Sequence, residues 1–194
     1  MRPEKKNRRV LESKRKIRSS FIKLADQDGI DSVTIKDICD DADINRSTFY
    51  MHYEDLPALI NEIENDFANR IIEGIRDYQY DTNSASYYKN FLATIKENAD
   101  LLFFIFSPGS TGSGWDIIQR YLHDRTVTAW LKHSKFTKEE AEYAFDYYIS
   151  GIFSILKDWY SSDFAMSVDR LSDFMENLSK YGVYHFVNLN SERR

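Results

Sequence analysis

The stretch INRSTFYMHY, residues 44–53, gathers one guanidinium, several hydroxyls, an amide and an imidazole, with no acidic residue among them. Arg46 carries a planar fork of donors that matches guanine O6 and N7 in a major groove. Thr48 offers a hydroxyl to a base edge and a methyl group to thymine. Asn45, Ser47, Tyr50, Met51 and His52 complete the face, and Asn45, Tyr50 and His52 suit phosphate oxygens. Upstream, Thr34 and Lys36 stand where a helix N-terminus would favour a phosphate. The chemistry these residue types suggest is recognition of duplex DNA.

Signals for bond-breaking chemistry are absent by comparison. The four histidines, His52, His123, His133 and His185, lack a metal-binding spacing. Cys39 is the single cysteine, which excludes an intrachain disulfide and a cysteine zinc site. It falls on an apolar helix face, where a thiol is inert. The glycine-rich stretch Ser107–Gly114 has no G-K-[ST] ending and no preceding strand, so it is not a P-loop. No enzyme activity, cofactor or metal is expected.

The recognition face needs elements to hold it. Ile17, Phe21, Leu24 and Ala25 make an apolar stripe that predicts a helix over 13–27, closed by Gly29. Thr34 with Asp37 reads as a capping box, and Val33 with Ile38 as a hydrophobic staple, so a second helix runs to about Asp41. Asn45 is placed as the N-cap of a third, with Ile44 and Phe49 in its staple positions. Two short helices joined by a three-residue turn, behind a longer one, outline a helix-turn-helix. Asp55 and Pro57 open a fourth helix reaching about Tyr78. Further helices are predicted over 84–98, 99–106, 115–133, 138–159 and 168–187, with a capping box at Thr137 and Glu140. Ser107–Gly114 reads as a flexible loop. The fold class is therefore all-α: a three-helix DNA-binding domain followed by a helical bundle.

Composition agrees. With 7 glycines and 3 prolines in 194 residues, long helices are favoured over a many-turned β fold. The 42% hydrophobic content excludes wholesale disorder. The net charge of -5 hides an asymmetry, +8 over residues 1–25 and -13 over the remainder. A basic start on an acidic body suits a polyanion at one end only, and Lys5, Lys6, Arg8 and Arg9 would add salt-sensitive attraction. No signal peptide is read, and the longest apolar run, Leu101–Phe106, is too short to span a membrane. The expected location is cytoplasmic, at the nucleoid.

Gly29, the run Thr34-Ile35-Lys36-Asp37-Ile38-Cys39 and the run Asn45-Arg46-Ser47-Thr48-Phe49-Tyr50-Met51-His52-Tyr53 together resemble the DNA-binding domain of the TetR family of transcriptional regulators. Three departures stand out. Asp43 replaces the turn glycine, Leu56 replaces the usual lysine after the recognition helix, and acidic residues Asp40, Asp41, Asp43, Glu54 and Asp55 crowd the motif. The segment Asp146–Trp159 also resembles the C-terminal domain of Firmicutes-type members, including those near dihydroxyacetone kinase operons.

The resemblance implies a homodimer on a palindromic operator, answering to a small-molecule effector. The division implied is a basic arm over 1–12, a DNA-binding domain over 13–60 and a regulatory and dimerisation domain over 61–190. Tyr143, Tyr147, Gly151 and Ile155 on one helix, and Phe174, Leu178 and Tyr181 on the last, are the expected dimer stripe. Phe103, Phe104, Trp115, Tyr121, Trp130 and Tyr148 are the aromatic candidates for lining an effector pocket. Two other readings stay open: a TetR-like activator or DNA-binding protein controlled by a protein partner, and a helical interaction module with no DNA affinity.

Overall fold

The computed structural model describes residues 3–76, 84–107 and 109–182, with the side chains of 3–7, 84–86, 100, 103 and 104 outside that description. Among the described residues all regular structure is helical: α1 (Pro3–Asp28), a 3-10 turn (Ile30–Ser32), α2 (Ile35–Ala42), α3 (Arg46–Tyr50), α4 (Leu56–Ile75), α5 (Ser84–Glu97), α6 (Ala99–Phe106), α7 (Ser113–His133), α8 (Lys138–Ser161) and α9 (Val168–Tyr181). No helix among the described residues is long and apolar enough to cross a membrane.

The chain packs as two compact units, residues 1–67 with 100–114, and residues 68–99 with 115–194. In the first unit, Ile17 and Phe21 of α1, Ile38 of α2, Phe49 of α3 and Leu59 and Ile63 of α4 are all 0% exposed and close one small core. Burying each such side chain contributes roughly 1.5–3 kcal/mol, which is how a five-residue helix like α3, too short to be stable alone, is held. Gly29 stops α1 at φ 83, its amide donating to Ala25 O at 2.9 Å. Both sequence-read capping boxes are present, at Thr34/Asp37 and Thr137/Glu140. Asp43 takes the left-handed conformation (φ 51, ψ 57) that lets α2 turn into α3.

Three elements differ from the sequence expectation. The first helix begins at Pro3, so the basic residues Arg8 and Arg9 sit on its early turns rather than on a tail. Asn45 occupies the N-cap position of α3, but its side chain makes no capping hydrogen bond. The stretch after α6 is held by hydrogen bonds to Glu64, described below, rather than lying loose. The predicted end of the last helix, residues 183–187, falls outside the described residues.

In the second unit α5 lies against α9. The buried Tyr88 hydroxyl bonds Tyr148 Oη at 2.7 Å and also Ser179 Oγ, joining α5, α8 and α9. Burial pushes the Tyr88 phenol up, so it stays protonated and able to donate. Gly74 lets α4 and α5 meet, since a Cβ there would lie 2.6 Å from Thr94 Oγ1. Trp159 Nε1 donates to Met166 O at 2.7 Å and fixes the α8–α9 corner.

Candidate nucleic-acid interface

Phe49 determines which way α3 faces. With its ring fully buried, Arg46, Ser47, Tyr50 and Met51 are left on the outside, Tyr50 56% and Met51 73% exposed. Tyr50 ends α3 and Met51 is its C-cap, so both stand beside Arg46 and Ser47 at the surface. Tyr50 stands edge-on to Phe49, ring centroids 5.7 Å apart, which limits where its hydroxyl can swing. Asn45 is exposed and its amide is not used in capping, so it can serve a phosphate or a base. Thr48 is half-buried.

His52 and Tyr53 form the underside of this face. His52 Nε2 lies 2.7 Å from Ser13 Oγ, tying α1 to the end of the recognition segment. Burial, then the nearby Lys14 charge, lower the His52 pKa, so the ring is neutral at pH 7. Tyr53 donates its hydroxyl to Glu62 Oε1 at 2.9 Å, and its pKa is raised by burial and by that carboxylate. Arg18 Nη1 reaches both Glu62 and Asp66 at 2.6 Å, and Lys14 Nζ pairs with Glu62. The result is a charged clamp between α1 and α4 below α3.

At the start of α2 the geometry is less favourable to a phosphate than the sequence suggests. The Thr34 hydroxyl and amide are engaged by Asp37, whose carboxylate already occupies the helix N-terminus. Those hydrogen bonds from Thr34 hold the Asp37 carboxyl below the usual range, so it is ionised. Lys36 remains exposed beside it. Of the acidic residues crowding the motif, Asp41 is bound to Lys23 Nζ at 2.6 Å and so directed back to α1. Cys39 is buried and its pKa raised by that burial, as an inert core thiol requires.

The remaining candidates fall in the second unit or outside the described residues. Tyr143, Tyr147 and Tyr181 are 67%, 76% and 72% exposed. Phe174 and Leu178 are exposed as well, and Ile155 is half-buried. A Cβ on Gly151 would meet nothing within 4 Å. Tyr147, Gly151, Ile155 and Leu178 line a groove of about 350 Å³ between α8 and α9. Among the pocket candidates, Trp130 is buried with its ring edge-on to Phe136 and Tyr148, as a core residue would be. Trp115 lies against Phe153, and Tyr121 accepts a hydrogen bond from Arg125, which also donates to Arg76 O at 3.0 Å. The side chains of Phe103 and Phe104 lie outside the described residues. Glu64 is the residue that sequence reasoning missed. Its only advance signal is a charged residue between Ile63 and Phe67 on the buried side of α4.

Residues 82–181 match a TetR-type family model described as "Transcriptional regulator C-terminal region". No curated protein matches the chain. Among solved structures, a TetR transcriptional regulator from Streptococcus agalactiae 2603V superposes with a TM-score of 0.70 at 19% identity, covering 91% of this chain and 98% of its own. The fatty acid degradation regulator FadR from Bacillus halodurans gives 0.64 at 14% identity, with 85% and 93% covered. A transcriptional regulator of the TerR/AcrR family from Aquifex aeolicus VF5 gives 0.63 at 17%, with 87% and 98% covered. At these identities the likeness speaks for the fold.

Proposed function

Because the chain belongs to the TetR family of transcriptional regulators, we propose that it is a cytoplasmic, nucleoid-associated, ligand-responsive repressor that binds a palindromic operator as a homodimer. The observation that carries this reading is the exposed row Arg46, Ser47, Tyr50 and Met51 on a helix whose orientation is fixed by buried Phe49 and Tyr53. Arg46 reads guanine, while Asn45, Thr48 and Tyr50 supply base-edge and backbone contacts. Lys36 and the basic first turns of α1 add non-specific attraction. His52 and Thr34, engaged with Ser13 and Asp37, position the face more than they touch DNA. One short helix reads few base pairs, so two copies across a two-fold axis supply the specificity, with half-sites about one helical turn, or a multiple of it, apart. The exposed α8–α9 stripe supports that pairing. An effector that binds one head spacing better than the other shifts the population away from DNA. Tyr121 beside Arg125, and Tyr148, whose hydroxyl meets Tyr88, are the polar aromatics we assign to it.

The test is selection of bound sequences from random duplex DNA, followed by salt titration of the winner. A palindrome is expected, with affinity falling as salt rises. Arg46→Ala loses about 1–3 kcal/mol and relaxes preference at one position. No enrichment even at low salt would sink the reading.

A further inference from the structure

Glu64 of α4 is a fully buried carboxylate, 0% exposed. The donors to it are uncharged and come from the α6–α7 connection and the first turn of α7. Oε1 accepts from Thr111 N at 2.8 Å and Ser110 Oγ at 3.0 Å. Oε2 accepts from Thr111 Oγ1 at 2.6 Å, Ser113 Oγ at 2.8 Å and Gly114 N at 3.2 Å. Burial raises the carboxyl pKa, but these hydrogen bonds outweigh it and leave the pKa below the ordinary value, so the group is ionised at neutral pH. Each carboxylate oxygen thus holds one backbone amide that cannot rotate away.

Two glycines let this connection lie close on α4 and on the 3-10 turn. A Cβ on Gly114 would lie 2.8 Å from Glu64 O, so the start of α7 sits directly on α4. A Cβ on Gly109 would lie 2.8 Å from Ile30 Cβ and 2.5 Å from Asp31 Oδ1. Ile30 is buried and belongs to the 3-10 turn that leads through Val33 to the cap of α2. The connection therefore touches both α4 and the turn preceding α2.

We propose that Glu64 is a positioning residue for operator recognition, which through the 109–114 connection fixes the 3-10 turn and α2, and hence the seat of α3. The proposal rests on the DNA-binding reading above. A buried charge is a poor choice for stability alone, since apolar packing of similar volume serves as well. What it supplies is one defined geometry, because only a carboxylate offers an acceptor to both Thr111 N and Gly114 N. A glutamine offers one oxygen, and its NH2 must face the other backbone amide whichever way it is turned.

The test uses the full chain. Wild type first selects a site from random duplex DNA. Glu64→Gln and Gly109→Ala are then compared with it for binding to that site and to an unrelated duplex, alongside helical content and thermal midpoint. The expected result is a loss of about tenfold in specific affinity, with non-specific binding unchanged and both variants folded at the assay temperature. A lowered midpoint with an unchanged specific-to-non-specific ratio overturns the proposal while leaving the DNA reading intact. If Glu64→Gln does not fold, Gly109→Ala decides by the same ratio. If wild type selects no site, the DNA reading fails and this proposal with it.

Discussion

Glu62 accepts from three donors at once, Lys14 Nζ, Arg18 Nη1 and the Tyr53 hydroxyl. The phenol is 4% exposed, so it depends on this one acceptor, whereas Lys14 can turn to water. Lowering of the Glu62 pKa follows the same contest seen at Glu64: burial opposes it, and the donors prevail. Removing the carboxylate strands a buried hydroxyl, while Arg18 keeps Asp66. Glu62→Ala is expected to cost about 1–3 kcal/mol in urea denaturation, and Tyr53→Phe about 0.5–1.5 kcal/mol. Once Glu62 is alanine, the Tyr53→Phe cost should shrink toward zero. Additive losses in the double variant would show that the two side chains do not work as a pair. None of this was legible from sequence, because Tyr53 reads as either a packing or a contact residue until the position of Glu62 is known.

At the scale of the elements, what could be read was what is written within four residues. The boxes at Thr34/Asp37 and Thr137/Glu140 are i to i+3 signals, and both helices start where those signals put them. Phe49 in its staple position likewise marked the buried side of α3, and so the exposed row opposite. The start of α1 was missed because Pro3–Glu12 has helix-forming Lys, Arg and Glu but no apolar stripe at helical spacing, Val10 and Leu11 both being exposed. Propensity, not periodicity, carries that segment. The ordering of residues 109–114 was missed because its donors find their acceptor 46 to 50 positions away. Asp43 belongs here too. It holds φ 51 where a Cβ costs on the order of 1 kcal/mol, and glycine would relieve that at some cost in unfolded-state entropy. The two effects nearly cancel, so Asp43→Gly should change stability by less than about 0.5 kcal/mol, and under the proposed DNA binding it should tighten the complex by removing a negative charge from the turn. A lower urea midpoint would mean that the aspartate makes a compensating interaction.

For the whole molecule the question is what covers the α8–α9 face. Tyr143, Tyr147, Phe174, Leu178 and Tyr181 leave a row of aromatic and aliphatic surface on two helices, continuous with the groove at Gly151. Aromatic rings are enriched at interface centres, and an exposed glycine allows a partner's side chain or backbone to approach closely. In the proposed homodimer, a second copy related by a two-fold axis would offer the same face in return and exclude water from both. Such a pair would couple two recognition helices, so losing it should cost operator affinity far more than non-specific affinity. Tyr147→Asp with Leu178→Asp puts two charges per copy into that apolar seam, where burying them is costly. Sedimentation velocity is expected to show a folded monomer, and the palindrome should be bound no better than a single half-site. A variant that stays dimeric would move the interface elsewhere. One that becomes monomeric yet holds the palindrome at wild-type affinity would leave pairing intact only on DNA, with the two operator halves doing the work assigned to α8 and α9.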